Sequence, residues 1–173
     1  MMVDGHQDYE SLFWQFSLSF YGRPRVADAC IQLQDNAAAD VNVLLFLLFL
    51  ASRNLQVDQD QVARIDAVIA PWRNEVVSRL RTLRRTLKAG VAPCAVSESD
   101  ALRNAIKRVE LDAEHIEQNH LARFGESLTH TSAASPIAAA RDNLQAYGSF
   151  LNGLPSSAVD TIISAFSEMH REP

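Results

Sequence analysis

Cysteine clusters, long apolar runs and a basic excess are all missing from this chain of 173 residues, and each absence removes a class of function. The two cysteines, Cys30 and Cys94, lie 64 positions apart with no Cys-x-x-Cys or Cys/His grouping beside them, so neither a zinc site nor a dithiol motif is supported. Both are expected as free thiols in a reducing compartment, with Cys30 on an apolar helix face. The longest apolar run, Val43 to Ala51, has nine residues, where a membrane-spanning helix needs roughly 20. It reads as a buried core helix. The first residues carry Asp4, Asp8 and Glu10 in place of a basic segment followed by an apolar one, so no secretory signal is expected and the cytoplasm is the expected location. Sixteen basic residues against twenty-one acidic ones give a net charge of −5, which argues against a nucleic-acid binder. No nucleophile elbow, phosphate loop, zinc-protease helix or dinucleotide fingerprint is present. Nothing calls for a cofactor or a metal.

No stretch alternates like a half-buried strand, and helical spacing recurs throughout. The expectation is an all-α, single-domain bundle over 1–173, with six or seven helices around a central apolar one at about 41–53. Asp8 is expected to cap a first helix that ends at Tyr21, before Gly22. A second helix runs from Pro24 to about Gln34, and Asp40 caps a third, VNVLLFLLFLAS, greasy on every side and therefore central. The fourth element spans Gln61 to Ala89, with a kink or short break at Pro71. Ser97, with Asp100 three residues on, opens a helix to about Phe124. Residues 125–135 read as a mobile loop. Ser135-Pro136 starts a helix to about Leu151, and Ser156 or Ser157 caps a last one ending near His170.

The charged chemistry is concentrated between Trp72 and Lys88, where Arg73, Arg79, Arg81, Arg84, Arg85 and Lys88 face a single acid, Glu75. Projected at about 100° per residue from Trp72, the apolar residues Val76, Leu80, Leu83 and Leu87 fill an arc of roughly 80°. Arg73 and Arg84 come next on its rim at about 100° and 120°, while Lys88, Arg81 and Arg85 lie outward at about 160° to 220°. The rim pair is expected to meet carboxylates, and the fifth helix supplies them as a stripe of Glu110, Glu114 and Glu117 beside its own apolar face. Antiparallel packing would pair the two. The outward set, Arg81, Arg85 and Lys88, is the candidate partner-binding face, because guanidinium forks suit carboxylate and phosphate.

A second polar grouping surrounds the start of the central helix. Asn42 stands one turn from Leu45 and Phe46 and must find a partner if covered, with Asp35, Gln34, Arg23 and Arg73 as candidates. Tyr21, Arg23, Asp40, Asn42, Arg73 and Arg84 are the candidate ligand- or anion-binding residues. Glu117-x-x-His120 matches one Glu-x-x-His step of a di-metal bundle, but the second step is missing. His120 is therefore expected at the core edge, hydrogen-bonded to a neighbour.

Several blocks carry a family resemblance: Phe13-Trp14-Gln15-Phe16-Ser17-Leu18, Tyr21 with Arg23-Pro24, Leu33-Gln34-Asp35, Asp40-Val41-Asn42, and Trp72-Arg73 through Arg84-Arg85-Thr86-Leu87-Lys88. They resemble the DUF2390 family of uncharacterised proteobacterial proteins, over about residues 10–120. A C-terminal helical extension, about 126–173, lies outside it. The resemblance implies a helical fold and a bacterial cytoplasmic setting, and it brings no reaction, substrate or cofactor. The resulting expectation is a helical binding or scaffold module whose basic helix (72–88) meets an acidic protein partner or an anionic small molecule. The alternative is an enzyme or small-molecule binder around Tyr21, Arg23, Asp40, Asn42 and Arg73. Attachment to a membrane surface through the basic face is a weaker third.

Overall fold

Ten consecutive residues, Asn42 to Ala51, are buried on all sides of one helix, and the other elements are arranged around it. The computed structural model describes residues 5–129 and 131–171. That helix, α3 (Val41–Ser52), starts where the sequence indicates. Asp40 is extended, and its Oδ1 accepts from the backbone N–H of Asn42 at 2.8 Å and of Val43 at 3.4 Å, satisfying donors that a helix start leaves open.

Around α3 stand α1 (Gly5–Tyr21), α2 (Val26–Ala37), α4 (Gln59–Trp72), α5 (Ser78–Ala89), α6 (Val96–Glu126), α7 (Pro136–Phe150) and α8 (Ser156–Met169). Residues Arg73–Val77 join α4 to α5 as a π-helical turn, so the two helices form one bent rod. Counted so, the described residues make seven helical rods. The fold is all-α.

Several element starts differ from expectation. α1 is described from Gly5, so Asp8 lies inside the helix, three residues past its first described residue. Arg25 adopts a left-handed conformation (φ 65°), which delays α2 to Val26. Asp58 caps α4 two residues early, in a reciprocal box with Gln61. α6 starts at Val96 and not after Ser97, with the Glu98 side chain accepting from the Ala95 N–H. Ser135 does cap α7, accepting from Ala138 N–H at 3.2 Å, whereas Pro155, and neither Ser156 nor Ser157, precedes α8. The stretch 125–135 is not simply a loop: α6 continues to Glu126, and Thr131–Ser132 (β2) pairs antiparallel with Leu55–Gln56 (β1).

The core joins Phe13, Phe20, Leu33, Val43 to Ala51 of α3, Ile65, Ile69, Leu121, Leu144, Tyr147, Ile162 and Phe166 in one apolar cluster. α7 thus packs on α3 directly, while α8 closes the core against α2 and α7. Gly125 is the close-approach point of α6. A Cβ there would stand 2.5 Å from Phe46 Cζ, so only glycine lets this end of α6 lie against the central helix.

Candidate functional site

Pro71 does not break its helix, but the turn just beyond it resets the geometry of the basic segment. The N–H of Ser78 bonds the carbonyl of Arg73, five residues back. A π-turn holds one residue more than an α-turn, so everything downstream is set back by about 100°. Arg81 moves from about 180° to about 80° and Arg84 from about 120° to about 20°, both into the packed face. The same rotation carries Leu83 from about 20° to about −80°, out of the packed face.

The ion pairs result from that rotation. Arg84 Nε donates to Glu110 Oε2 at 2.5 Å. Arg81 bridges Glu110 (Nε to Oε1, 3.1 Å) and Glu114 (Nη2 to Oε1, 2.8 Å). Arg81 therefore does not belong to the outward set: its side chain is 22% exposed and held between two carboxylates. Arg85 and Lys88 remain exposed, Arg85 reaching Asp35 at 3.2 Å. Burial raises Glu110, but the hydrogen bonds from Arg84 and Arg81 outweigh it and hold the carboxyl below its usual range. At Glu114 burial wins over Arg81, and the carboxyl is raised.

The seam continues to the start of α3. Arg73 donates to Asp66 at 2.6 Å and to Asp40 at 3.1 Å. Burial opposes its charge, yet these carboxylates keep its pKa above the ordinary value. The Tyr147 hydroxyl accepts from the Asp40 N–H at 2.8 Å and donates to the Asp40 carbonyl at 3.3 Å. Asn42 is covered, as its place on α3 requires, but its partner is none of the four candidates: Gln118 Nε2 donates to Asn42 Oδ1 at 2.9 Å. Glu117, fully buried, has no donor at either carboxyl oxygen. Burial first, then the Asp40 carboxyl near it, push it up to about 10, so at neutral pH Glu117 carries a proton.

The structure thus brings Asp40, Asn42 and Arg73 together, and adds Asp66, Glu117, Gln118 and Tyr147, which sequence reasoning did not place there. Tyr21 stands half-exposed near Arg81 and Glu114, further along the same seam. Arg23 is half-buried in the α1–α2 turn. Glu110, Glu114 and Glu117 were legible as a stripe, and Glu117 differs only in lacking an arginine of its own. Among the described residues no group of three or more His, Cys, Asp or Glu side chains is placed to hold a metal ion. His120, expected at the core edge, is exposed instead, on the wall of a hollow of about 420 Å³ with Val68, Ile69, Pro71, Trp72, Glu75 and Val76. A wider groove, about 760 Å³, lies between α7 and α8. Neither is lined by the Asp40–Arg73 cluster, whose side chains fill their own space.

Beyond the seam, α5 and the first third of α6 form an antiparallel hairpin that packs mainly on itself. α5 contributes no buried residue, and the first buried residue of α6 is Ile106. Residues 78–116, which include the carboxylates paired with Arg81 and Arg84, hold eight basic residues and five acidic ones, net +3, while the rest of the chain holds eight and sixteen, net −8. The hairpin is two-faced. The flank of Arg81 and Glu114 also carries Arg85, Lys88, Arg103 and Lys107. The other carries Leu83, Leu102, Val109 and Ile116, all exposed. Lys88, Lys107 and Arg108 have no carboxylate partner among the described residues.

Against known proteins, the profile of one family, described as a protein of unknown function (DUF2390), matches residues 12–121. No curated protein and no solved structure matches the chain.

Proposed function

The chain belongs to the DUF2390 family, and for this member we propose a non-catalytic binding module that offers the basic flank of the α5–α6 hairpin to an acidic protein segment. The observation behind the reading is charge segregation. The hairpin, net +3 over residues 78–116, stands against a remainder of net −8, and Lys88, Lys107 and Arg108 on it lack carboxylate partners among the described residues. Such a surface steers an oppositely charged partner and sets its orientation more than it adds raw affinity. The basic element expected from the sequence is kept, with its contact residues moved: Arg85, Lys88, Arg103, Lys107 and Arg108 form the face, while Arg81 and Arg84 hold the hairpin to α6. A bacterial cytoplasmic setting belongs to the same reading. It is supported by the exposed free thiol of Cys94, which suits a reducing compartment, and by the lack of any helix among the described residues long and apolar enough to cross a membrane.

The test is fluorescence anisotropy with a labelled Glu-rich helical peptide, using duplex DNA and anionic vesicles as rival probes. Salt-sensitive peptide binding, weakened about ten-fold or more by K88E/K107E/R108E, supports the reading. No binding, or DNA or vesicles binding as tightly as the peptide, overturns it.

A further inference from the structure

The apolar flank of the hairpin faces away from its basic one. We propose that it is the contact surface of a two-fold dimer, its occupant a second copy of this chain. Leu102, Val109 and Ile116 are 56%, 51% and 43% exposed. They recur at intervals of seven, which returns nearly to the same side of a helix. The pairs Arg84–Glu110 and Arg81–Glu114 fix the register of the two antiparallel helices, so Leu83, 47% exposed, stands within about 5 Å of the level of Val109. A row of three apolar side chains on α6 with Leu83 beside it on α5 has the form of the inner face of one half of a four-helix bundle.

The spacing suits a copy of the same chain. Leu102 and Ile116 lie equally far from Val109, about 10 Å to either side at 1.5 Å per residue. A two-fold axis through the level of Val109 sets Leu102 of one copy on Ile116 of the other. It also carries the hairpin tip, with Val91 exposed about 12 Å beyond Leu83, onto the hollow formed by Val68, Ile69, Trp72, Val76 and His120 of the second copy. Each hairpin thereby fills the hollow at the foot of the other, as an isologous contact requires. The charge pattern agrees. A surface that meets itself cannot be bordered by one sign of charge, and this flank is edged by both: the Glu75–Arg79 pair on one helix, Asp112 and Arg108 on the other. Arg108 borders both surfaces, while Arg85, Lys88, Arg103 and Lys107 stay outside the contact, so either reading can fail without the other.

Sedimentation equilibrium of the full chain across the micromolar range is expected to give twice the chain mass of 19.2 kDa. Val109→Glu sets two carboxylates against each other at the axis and is expected to return a single chain mass, with the helical circular dichroism unchanged because the position is exposed. In a Cys94→Ser background, Val109→Cys is expected to cross-link between copies much faster than Leu111→Cys, an equally exposed position on the other side of α6. A wild-type chain that sediments as a monomer overturns the proposal. So does a dimer that survives Val109→Glu, or cross-linking at position 109 no faster than at 111.

Discussion

Replacing Glu117 with glutamine is expected to stabilise the protein, by an amount that grows with pH. Glu117 is fully buried, no donor reaches its oxygens, and burial together with Asp40 raises it to about 10. In the unfolded chain a glutamate gives up its proton near about 4.3. Below that value both states hold the proton, and pH has no effect through this group. Between there and about 10 the folded state keeps a proton that the unfolded state has lost, so stability falls as pH rises. At about 1.4 kcal/mol per pH unit the full effect at pH 7 would approach 4 kcal/mol. Relaxation and water entry in real interiors reduce it to about 1–3 kcal/mol. Glutamine is neutral at every pH and keeps the size and shape of the protonated carboxyl. Urea unfolding of wild type and Glu117→Gln at pH 5, 7 and 8.5 measures the difference directly. The variant should gain little at pH 5 and progressively more above it. A variant less stable at pH 7, or one whose pH dependence parallels wild type, would refute a protonated Glu117.

The packing sets three further outcomes. Arg84→Ala and Arg81→Ala should each cost about 1–3 kcal/mol in thermal or urea unfolding, since Glu110 is left buried with fewer donors, while Arg85→Gln with Lys88→Gln should stay within about 0.5 kcal/mol. Gly125→Ala forces a methyl onto the Phe46 ring and should cost about 1–3 kcal/mol by the same assay. Deleting Asn74 removes the extra residue of the π-turn, turns α5 by about 100° and parts Arg81 and Arg84 from Glu110; its melting temperature should fall well below that of Asn74→Ala, an exposed substitution.

The helices were legible because their signals are local. Asp40 before an unbroken apolar run specifies α3 with its cap, and Ser135-Pro136 specifies the start of α7. The acidic stripe of α6 could be matched to the basic helix because both keep the helical period. The π-turn could not be read. Proline at 71 signals a lost N–H, whereas the extra residue at 73–77 brings Arg81 and Arg84 onto Glu110, a contact across 26 to 29 positions. That single insertion displaced every angle projected beyond it, which is why Arg81 was placed outward and Leu83 inward. The polar cluster was half legible for the same reason. Asp40 and Asn42 announced themselves by position, but Gln118 and Tyr147 reach them from 76 and 107 residues away, and no local pattern marks such partners.

The role of the hairpin is tested most directly by amide chemical-shift mapping of the ¹⁵N-labelled protein during titration with the Glu-rich peptide. Shifts gathered at Arg85, Lys88, Arg103, Lys107 and Arg108, and lost in high salt, are the expected result. Shifts gathered in the α7–α8 groove or around Asp40 and Arg73, or no shifts at all, would contradict it.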